Sequence, residues 1–321
     1  NLYPFMYVME YVYLLIVLSM AYLLLNKFID LHEEIEDLNV NLEIRVNKRT
    51  EELLSAMEEL EAMNSQLEMT RDALWGEMEL AKKIQTILLP RNPAIEGFQI
   101  STYMAPASEV GGDYFDIINT DGIDWVLIGD VSGHGISAGL VMMMVQSSIH
   151  SLIAQIPVQK PSELLDIINK SISANIKKIG DDKYMTITVL AGHRDGKFIF
   201  SGLPQDSMVS RAATKKVDVI STSGMWLGID HHMPDSFMNE ALQLGSGDVL
   251  LLYTDGITEA WIKSSNRHRS AETMYGQDRL LQVFELNGMN STEEILASIQ
   301  QSLEGYETDD DVTMMILKRT C

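Results

Sequence analysis

The chain has 321 residues, and its 46 Asp and Glu against 24 Lys and Arg give a formal net charge of −22 at pH 7. The phosphate backbone would repel so acidic a chain, which argues against a nucleic acid as its main partner. The length suggests about two domains. The single cysteine, Cys321, excludes an intrachain disulfide and argues against an exported fold held together by disulfides.

The N-terminal segment predicts a membrane-spanning helix. Residues 3–25 are apolar apart from Glu10, and a helix of this length, at about 1.5 Å per residue, can cross a hydrocarbon core of about 30 Å. No basic residue precedes the segment and Lys27 follows it, so the positive-inside rule places the rest of the chain in the cytoplasm. A signal peptide is the alternative, but a basic start and a small-residue cleavage site are missing. We expect a transmembrane helix at residues 1–26.

The next segment predicts a parallel coiled coil that joins two copies of the chain. Residues 27–89 contain no proline and one glycine, Gly76. Apolar residues recur there at alternating steps of three and four. The seam consists of Val46, Leu53, Met57, Leu60, Leu67, Leu74 and Met78. Two successive steps of four, within residues 38–46, indicate a stutter that locally unwinds the supercoil. We assign residues 27–78 to this coil; the alternative is an amphipathic helix lying on the C-terminal domain.

The remaining chain predicts an α+β domain. Pro90 and Pro93 close the long helix, so residues 79–94 form a connecting helix and residues 95–321 a separate domain. Strands are expected at 98–104, 114–118, 125–131, 184–191, 197–202, 208–210, 217–221, 248–254 and 312–318. Helices are expected at 135–155, 161–179, 277–286 and 291–304. The strands occur in groups, which favours antiparallel sheets over a doubly wound sheet.

Four acidic motifs in this domain predict a metal site. They are GGD at 111–113, GDVSGHG at 129–135, YTDG at 253–256 and DDDVT at 309–313. Each lies beside an apolar, strand-like run, and glycines next to the acids allow sharp turns. Carboxylate and carbonyl oxygens suit hard cations such as Mg²⁺ or Mn²⁺. Any one of these motifs alone is an ordinary turn; the set of four, in this order, is far more specific.

Together with ELAKKIQTILLP at residues 79–90, these motifs resemble the metal-dependent serine phosphatases of the PPM (PP2C-like) superfamily, in the bacterial SpoIIE/RsbU branch. The resemblance covers residues 79–318 and includes GDVLLLYTDGITEA, MYGQDRL and DDDVTMMIL. It implies a β-sandwich flanked by helices, with two metal ions at one edge. It also implies hydrolysis of phosphoserine or phosphothreonine by a water that two Mn²⁺ or Mg²⁺ ions activate.

The resemblance also implies the metal ligands. Asp130 is expected to bridge the two ions, and the carbonyl of Val131 to help hold one of them. Asp255 and Asp310 are expected to hold the second ion, and Asp113 to lie on the side of the first. Asp130, Asp255 and Asp310 are therefore the expected catalytic residues.

Three further assignments are left open by the motifs. Asp309 and Asp311 flank Asp310, so the ligand in the last motif is fixed only to within one residue. Asp116 is expected to be a local structural acid. His134 is expected at a helix start or beside the substrate, because relatives often carry lysine at this place.

One segment departs from the pattern of the family. Relatives have a sequence like NAGHxP after the central strands, whereas residues 201–209 read SGLPQDSMV and lack the histidine. The departure bears on local loop structure or on substrate docking, and it leaves the metal motifs intact.

The resemblance implies partners as well. The expected substrate is a phosphoserine on a STAS-type anti-anti-sigma protein. The segment Leu38 to Leu54 resembles the linker helix that follows the last membrane span of many bacterial sensors. We therefore expect a homodimer anchored in the inner (cytoplasmic) membrane. Its coil is expected to pass a rotation or register change to the helix at residues 79–89, which would bias a cytoplasmic catalytic domain.

Three other functions were weighed against the phosphatase. The sequence GGDYF begins like a diguanylate cyclase signature, but Tyr114 stands where cyclases have an acid. A histidine kinase would need a glycine-rich ATP lid, which the sequence lacks. A catalytically silent docking regulator is disfavoured because all the acids of the metal motifs are present.

Overall fold

The computed structural model describes residues 3–90, 93–120, 122–155, 160–180, 182–193, 195–203, 206–221, 224–229, 237–263 and 273–320. Cys321 and residues 204–205 of the departing segment lie outside them. The chain divides into two compact units, Asn1–Leu74 and Trp75–Cys321. The finer division into four segments stays a prediction.

The first unit consists of the greater part of one helix, α1 (Tyr3–Leu88). The helix continues without a break through the stutter at residues 38–46. The seam residues are exposed along the single chain, with Leu53 at 63%, Leu60 at 56% and Leu67 at 66%. Pairing with a second copy would bury this stripe, so the predicted coiled coil stays a prediction that the exposed side chains favour.

By length and composition, two helices among the described residues are apolar enough to cross a membrane. One is the N-terminal part of α1, with a mean hydropathy of 2.1. The other is Ile136–Gln155, which lies in the second unit and buries much of its surface in the core. Only the first therefore remains a candidate anchor.

The second unit contains both strands and helices. Its strands are β1 (Phe98–Ala105), β2 (Tyr114–Thr120), β3 (Ile123–Val131), β4 (Met185–Gly192), β5 (Lys197–Leu203), β6 (Ser207–Arg211), β7 (Lys216–Ile220), β8 (Glu240–Gln243), β9 (Val249–Tyr253), β10 (Trp261–Ile262), β11 (Tyr306–Glu307) and β12 (Val312–Arg319). Its helices, after the end of α1, are α2 (Ile136–Gln155), α3 (Pro161–Ile179), α4 (Asp255–Thr258), α5 (Gly276–Asn287) and α6 (Thr292–Ser302).

The strands form two five-stranded antiparallel sheets. One has the order β1-β12-β9-β6-β7, and the other has the order β2-β3-β4-β5-β8. A two-stranded ribbon, β10-β11, lies outside them. Helices α2 and α3 cover the second sheet, and α5 and α6 cover the first. The predicted α+β sandwich flanked by helices is confirmed.

The apolar runs of the central strands follow from this layering. In β3, Trp125 and Leu127 pack towards α2 and α3, whereas Val126 and Ile128 face the other sheet. A strand with both faces buried needs apolar residues at every position, because successive side chains point to opposite faces. Each such side chain contributes about 1.5–3 kcal/mol when it leaves water.

The sequence patterns missed the short elements. Strands β10 and β11 have two residues each, and β8 has four residues at the edge of its sheet. Too few residues alternate in such elements for a period of two to be visible. The four-residue helix α4 was likewise included in an expected turn.

Candidate metal centre

Three carboxylates meet at one end of the sandwich. Asp130, Asp255 and Asp310 each offer an oxygen, and these oxygens lie within 4.8 Å of one another. Asp130 is the penultimate residue of β3, in one sheet. Asp255 lies two residues after the end of β9, as the first residue of α4, and Asp310 lies two residues before β12, in the other sheet. The cluster therefore forms only when the two sheets are packed together.

Asp113 lies beside this cluster and is completely buried. It immediately precedes β2, whose residue Tyr114 pairs with Gly129 of β3. The hydroxyl of Thr254 donates a hydrogen bond of 2.9 Å to Asp113 Oδ2 and accepts one of 3.0 Å from the backbone N–H of Thr313. This arrangement fixes the carboxylate at the junction of the two sheets.

The buried oxygens of this site lack enough protein donors. Asp113 Oδ1 and Asp130 Oδ1 are buried, and neither has a hydrogen-bond partner among the described residues. A buried carboxylate oxygen without a partner is costly. A hard divalent cation would satisfy these oxygens, since it prefers carboxylate ligands. The residues present therefore fit the expected ions, with Asp130, Asp255 and Asp310 as ligands and Asp113 and the Val131 carbonyl beside them.

Electrostatics lead to the same conclusion. Burial raises the pKa of Asp113 well above its ordinary value, and the charge of Asp311 adds to this increase. Burial also raises the pKa of Asp130 to about 10, with contributions from Asp113, Asp255, Asp310 and Asp311. Carboxylates crowded in a dry site resist ionisation together. A bound cation reverses this preference, because it stabilises the ionised forms.

Asp311 holds the GGD turn in place. Its Oδ1 accepts a hydrogen bond of 2.7 Å from the backbone N–H of Ala107, and its Oδ2 accepts bonds of 2.5 and 3.3 Å from those of Gly112 and Asp113. The cluster of three carboxylates contains Asp310 and neither of its neighbours. Adjacent aspartates thus have separate positions, and Asp310 is the one whose oxygen joins Asp130 and Asp255.

The two glycines of this turn are required by close packing. A β-carbon on Gly111 would lie 2.4 Å from Asp311 Oδ2, and one on Gly112 would lie 2.7 Å from the carbonyl oxygen of Val131. Contacts this short do not occur for real β-carbons. The turn therefore tolerates only glycine at these positions if Asp113 and Asp130 are to stay side by side.

The end of α1 binds the same turn. Gln85, which is 5% exposed, donates through Nε2 to the Gly111 carbonyl at 2.8 Å and accepts through Oε1 from the Gly111 N–H at 3.1 Å. Lys82 forms an ion pair of 2.6 Å with Glu109 nearby. Gln146 of α2 donates to the Leu88 carbonyl at 3.4 Å. The motif predicted the helix, but no sequence signal indicated these contacts.

A cavity of about 560 Å³ opens over the carboxylates. Its lining beyond the cluster comes from both sheets and from α5, and includes Ser132, Tyr184, Thr186, Asp206, Trp226, Tyr253 and Gln277. Trp226 belongs to no motif of the sequence analysis, whereas Gln277 lies in MYGQDRL and Asp206 in SGLPQDSMV, in which no site residue was expected. They form the walls of the cavity at positions where a substrate would meet the protein.

The other predicted residues lie elsewhere. His134 is exposed, two residues before α2, and is not among the residues that line the cavity. Asp116 is buried, and its Oδ2 accepts a hydrogen bond of 3.0 Å from the Tyr114 hydroxyl. His150 Nε2 lies 2.6 Å from the same oxygen. These contacts join β2 to α2 and agree with a structural role for Asp116.

Comparison with known proteins places the chain among phosphatases. The sequence model of the family described as Stage II sporulation protein E (SpoIIE) matches residues 121–320. The phosphoserine phosphatase RsbU of Bacillus subtilis (strain 168) is 26% identical over 258 residues, which cover 76% of this chain and 70% of RsbU. The phosphoserine phosphatase RsbP of the same organism is 25% identical over 253 residues, which cover 75% of this chain but 57% of RsbP.

A solved structure shows the same fold. The SiaA-PP2C domain of Pseudomonas aeruginosa superposes with a TM-score of 0.63 at 18% sequence identity. The match covers 78% of this chain and 97% of that domain. The sandwich and its flanking helices are therefore shared with a PP2C domain.

Proposed function

Since the chain belongs to the SpoIIE family, we propose that it is a metal-dependent protein serine/threonine phosphatase whose reaction takes place at Asp130, Asp255 and Asp310. The observation that carries this proposal is the approach of these three carboxylates to within 4.8 Å of one another beneath an open cavity. Family membership indicates the phosphatase reaction, and the carboxylate cluster indicates where in the protein it takes place.

Each residue of the site has a separate task in this proposal. Asp130, Asp255 and Asp310 would hold the ions, and Asp113 and the Val131 carbonyl would complete the metal site. When bound, such ions lower the pKa of a water and offset the charge of the phosphate. A water then attacks phosphorus, the bond to the serine oxygen breaks, and that oxygen takes up a proton. No covalent bond between protein and phosphate is required, which agrees with the absence of a cysteine within the motifs.

We further propose two ions at this site, either Mn²⁺ or Mg²⁺. Four acidic side chains converge there, and their oxygens suit both metals. Burial raises the pKa of Asp130, and the charges of Asp113, Asp255 and Asp310 add to this increase. Because these acids surround it, we propose Asp130 as the ligand that the two ions would share.

The substrate is a phosphoprotein, and we propose a phosphoserine on a STAS-type anti-anti-sigma protein. RsbU and RsbP are both phosphoserine phosphatases. The open cavity, rather than a closed one, suits a side chain presented on the surface of a folded protein.

We also propose that the chain is a membrane-anchored homodimer with a cytoplasmic catalytic domain. The apolar N-terminal part of α1 supports the anchor, and the exposed heptad stripe supports the dimer. The contact of Gln85 with Gly111 provides a path by which a change in the helix would reach Asp113. Deletion of residues 27–78 is expected to change activity or its metal dependence, and unchanged kinetics would contradict the coupling.

The test of the proposed function is hydrolysis of a phosphoserine protein and of p-nitrophenyl phosphate by the full chain. Both reactions are measured with Mn²⁺, with Mg²⁺ and with a chelator, beside Asp130→Asn, Asp255→Asn and Asp195→Asn. Asp195 is a surface residue paired with Lys197 and serves as the control. Metal-dependent turnover that both site variants lose and Asp195→Asn keeps is expected. No turnover with either metal would contradict the proposal and leave a silent docking protein.

A further inference from the structure

The wall of the cavity carries an acid that the proposed reaction does not use. Asp206 lies immediately before β6 and lines the cavity over the carboxylate cluster. Its Oδ2 accepts a hydrogen bond of 3.0 Å from the Nε2 of Gln277. No lysine or arginine pairs with it among the residues that the structure describes. Asp206 therefore presents a negative charge, fixed in orientation by a neutral amide, to whatever enters the cavity.

A second polar group, the hydroxyl of Tyr253, lies beside Asp206. The register of β6 and β9, in which Met208 lies opposite Leu251, places Asp206 opposite Tyr253 when it is continued by two residues. Tyr253 lines the cavity and is 2% exposed, and its hydroxyl has no hydrogen-bond partner among the described residues. A buried hydroxyl without a partner is uncommon. It can accept a hydrogen bond from a donor placed between it and Asp206.

The cavity also has an aromatic wall. Tyr184 and Trp226 contact each other with ring centroids 5.2 Å apart, and Trp226 is 42% exposed. Their positions are fixed because the next residues, Met185 and Leu227, exchange backbone hydrogen bonds of 2.8 and 2.9 Å. Aromatic faces bind the stems and heads of basic side chains.

These groups fit a guanidinium or ammonium group and do not fit a phosphate. A carboxylate would repel the phosphate of the substrate, whereas a basic side chain gains a charge-assisted hydrogen bond. We infer that Asp206, Tyr253, Tyr184 and Trp226 form a subsite for a basic side chain that flanks the phosphoserine of the substrate protein. The inference rests on the proposed phosphatase function and specifies which phosphoproteins the site prefers.

Asp206 brings a segment with an unusual sequence to the wall of the cavity. Asp206 belongs to the segment SGLPQDSMV, which departs from the NAGHxP pattern of relatives. The departure thus falls on a wall of the cavity and not on the carboxylate cluster. A change at such a place alters substrate preference and leaves the reacting groups in position.

The test uses pairs of phosphoserine peptides that differ by one atom. Each pair carries arginine or its neutral isostere citrulline at one position within three residues of the phosphoserine. For at least one position, the full chain with Mn²⁺ is expected to show a kcat/KM roughly tenfold higher for arginine. Asp206→Asn is expected to bring the ratio of the two peptides close to one, and Trp226→Leu to lower it. Asp195→Asn, which removes a surface charge at the far end of β4 and β5, is expected to keep the ratio.

Binding of the same peptides to the chelator-treated protein, measured by calorimetry, provides a readout that needs no turnover. An arginine preference in binding that Asp206→Asn removes would support the subsite even if no peptide were hydrolysed, in which case only the phosphatase proposal would fail. Hydrolysis of both peptides of every pair at equal rates would overturn the subsite and leave the phosphatase intact. If Asp206→Asn lowered kcat/KM equally for the arginine and the citrulline peptide, Asp206 would belong to the reaction centre, and the proposed subsite would also be overturned.

Discussion

Gln85 and Gly111 exchange two hydrogen bonds. The side chain of a helix residue thus satisfies both the N–H and the carbonyl of a residue in the GGD turn. Gly111 is two residues from Asp113, and the turn has little freedom because Asp311 binds its other N–H groups. The geometry of Asp113 is consequently set from two directions, by the helix and by the segment before β12.

Replacement of Gln85 should weaken the site without destroying the fold. Gln85→Met keeps the volume but leaves the N–H and carbonyl of Gly111 without partners, which costs about 1–3 kcal/mol for each buried group. We expect metal affinity and kcat/KM to fall by about tenfold or more. A Mn²⁺ titration of phosphatase activity measures both. Lys82→Ala is the control, since its exposed ion pair is worth at most about 1 kcal/mol; an equal loss in both variants would contradict the role of Gln85.

Adjacent aspartates should respond differently to the same substitution. The two carboxylate oxygens of Asp311 accept hydrogen bonds from the backbone N–H groups of Ala107, Gly112 and Asp113. Asp311→Asn replaces one of these oxygens with an NH₂ group that cannot accept, and should destabilise the fold by about 2–3 kcal/mol. Asp310→Asn should leave the stability in chelator similar or higher, but abolish metal-dependent turnover. Thermal unfolding with chelator, beside activity with Mn²⁺, separates the two effects. The opposite pattern would exchange the roles of Asp310 and Asp311.

Removal of one charge from the cluster should stabilise the metal-free protein. Because the folded state raises the pKa of Asp130 from 3.8 to about 10, the folded protein retains a proton there that the unfolded chain has lost. The associated stability is complete below about pH 4 and declines as the pH rises towards 10. Asp130→Asn has no such proton to lose. We expect the melting temperature of Asp130→Asn in chelator to exceed that of the unaltered chain by an amount that grows from pH 6 to pH 9.

Added Mn²⁺ should reverse this order, because ions stabilise the ionised carboxylates of the unaltered chain and bind the variant poorly. Scanning calorimetry at both ends of the pH range, with Mn²⁺ and with chelator, is the measurement. A difference between the two proteins that does not change with pH would show that Asp130 is already ionised in the metal-free fold.

Glycine-to-alanine substitutions should have opposite effects at two places. Gly112→Ala places a β-carbon 2.7 Å from the Val131 carbonyl oxygen, so the turn must shift and the activity should fall at least tenfold. Gly76→Ala meets no atom within 4 Å and lies inside a helix, where alanine is favoured by about 1 kcal/mol. Activity and thermal unfolding of the two variants test this contrast; full activity in Gly112→Ala would show that the turn can relax.

The parts of the fold that the sequence predicted are those with a repeated pattern. The runs VLIGD and DVLLLYTD identified β3 and β9 because both faces of these strands are buried. The same runs located Asp130 and Asp255 at strand ends. A sequence shows such periodicity directly, since each position reports its own burial.

The parts that it could not predict depend on contacts between distant segments. Nothing in DDDVT distinguishes Asp310 from Asp311 until the chain has folded and Ala107 and Gly112 approach one of them. Gln85 lies in ELAKKIQTILLP and Asp206 in SGLPQDSMV, but neither segment indicates which contacts these two side chains make. Their roles arise from neighbours that are far away along the chain, which no local pattern records.

The position of β12 in its sheet affects how the domain folds during synthesis on the ribosome. This strand lies between β1 and β9, and its pairing joins Phe98 to Arg319. Every other strand among the described residues is synthesised before it, so the nascent domain holds an open gap in its sheet until β12 emerges. Asp310 and Asp311 precede that strand directly, and hence neither the acidic cluster nor its clamp on the GGD turn exists earlier. The proposed metal site is therefore complete only after β12 has been synthesised.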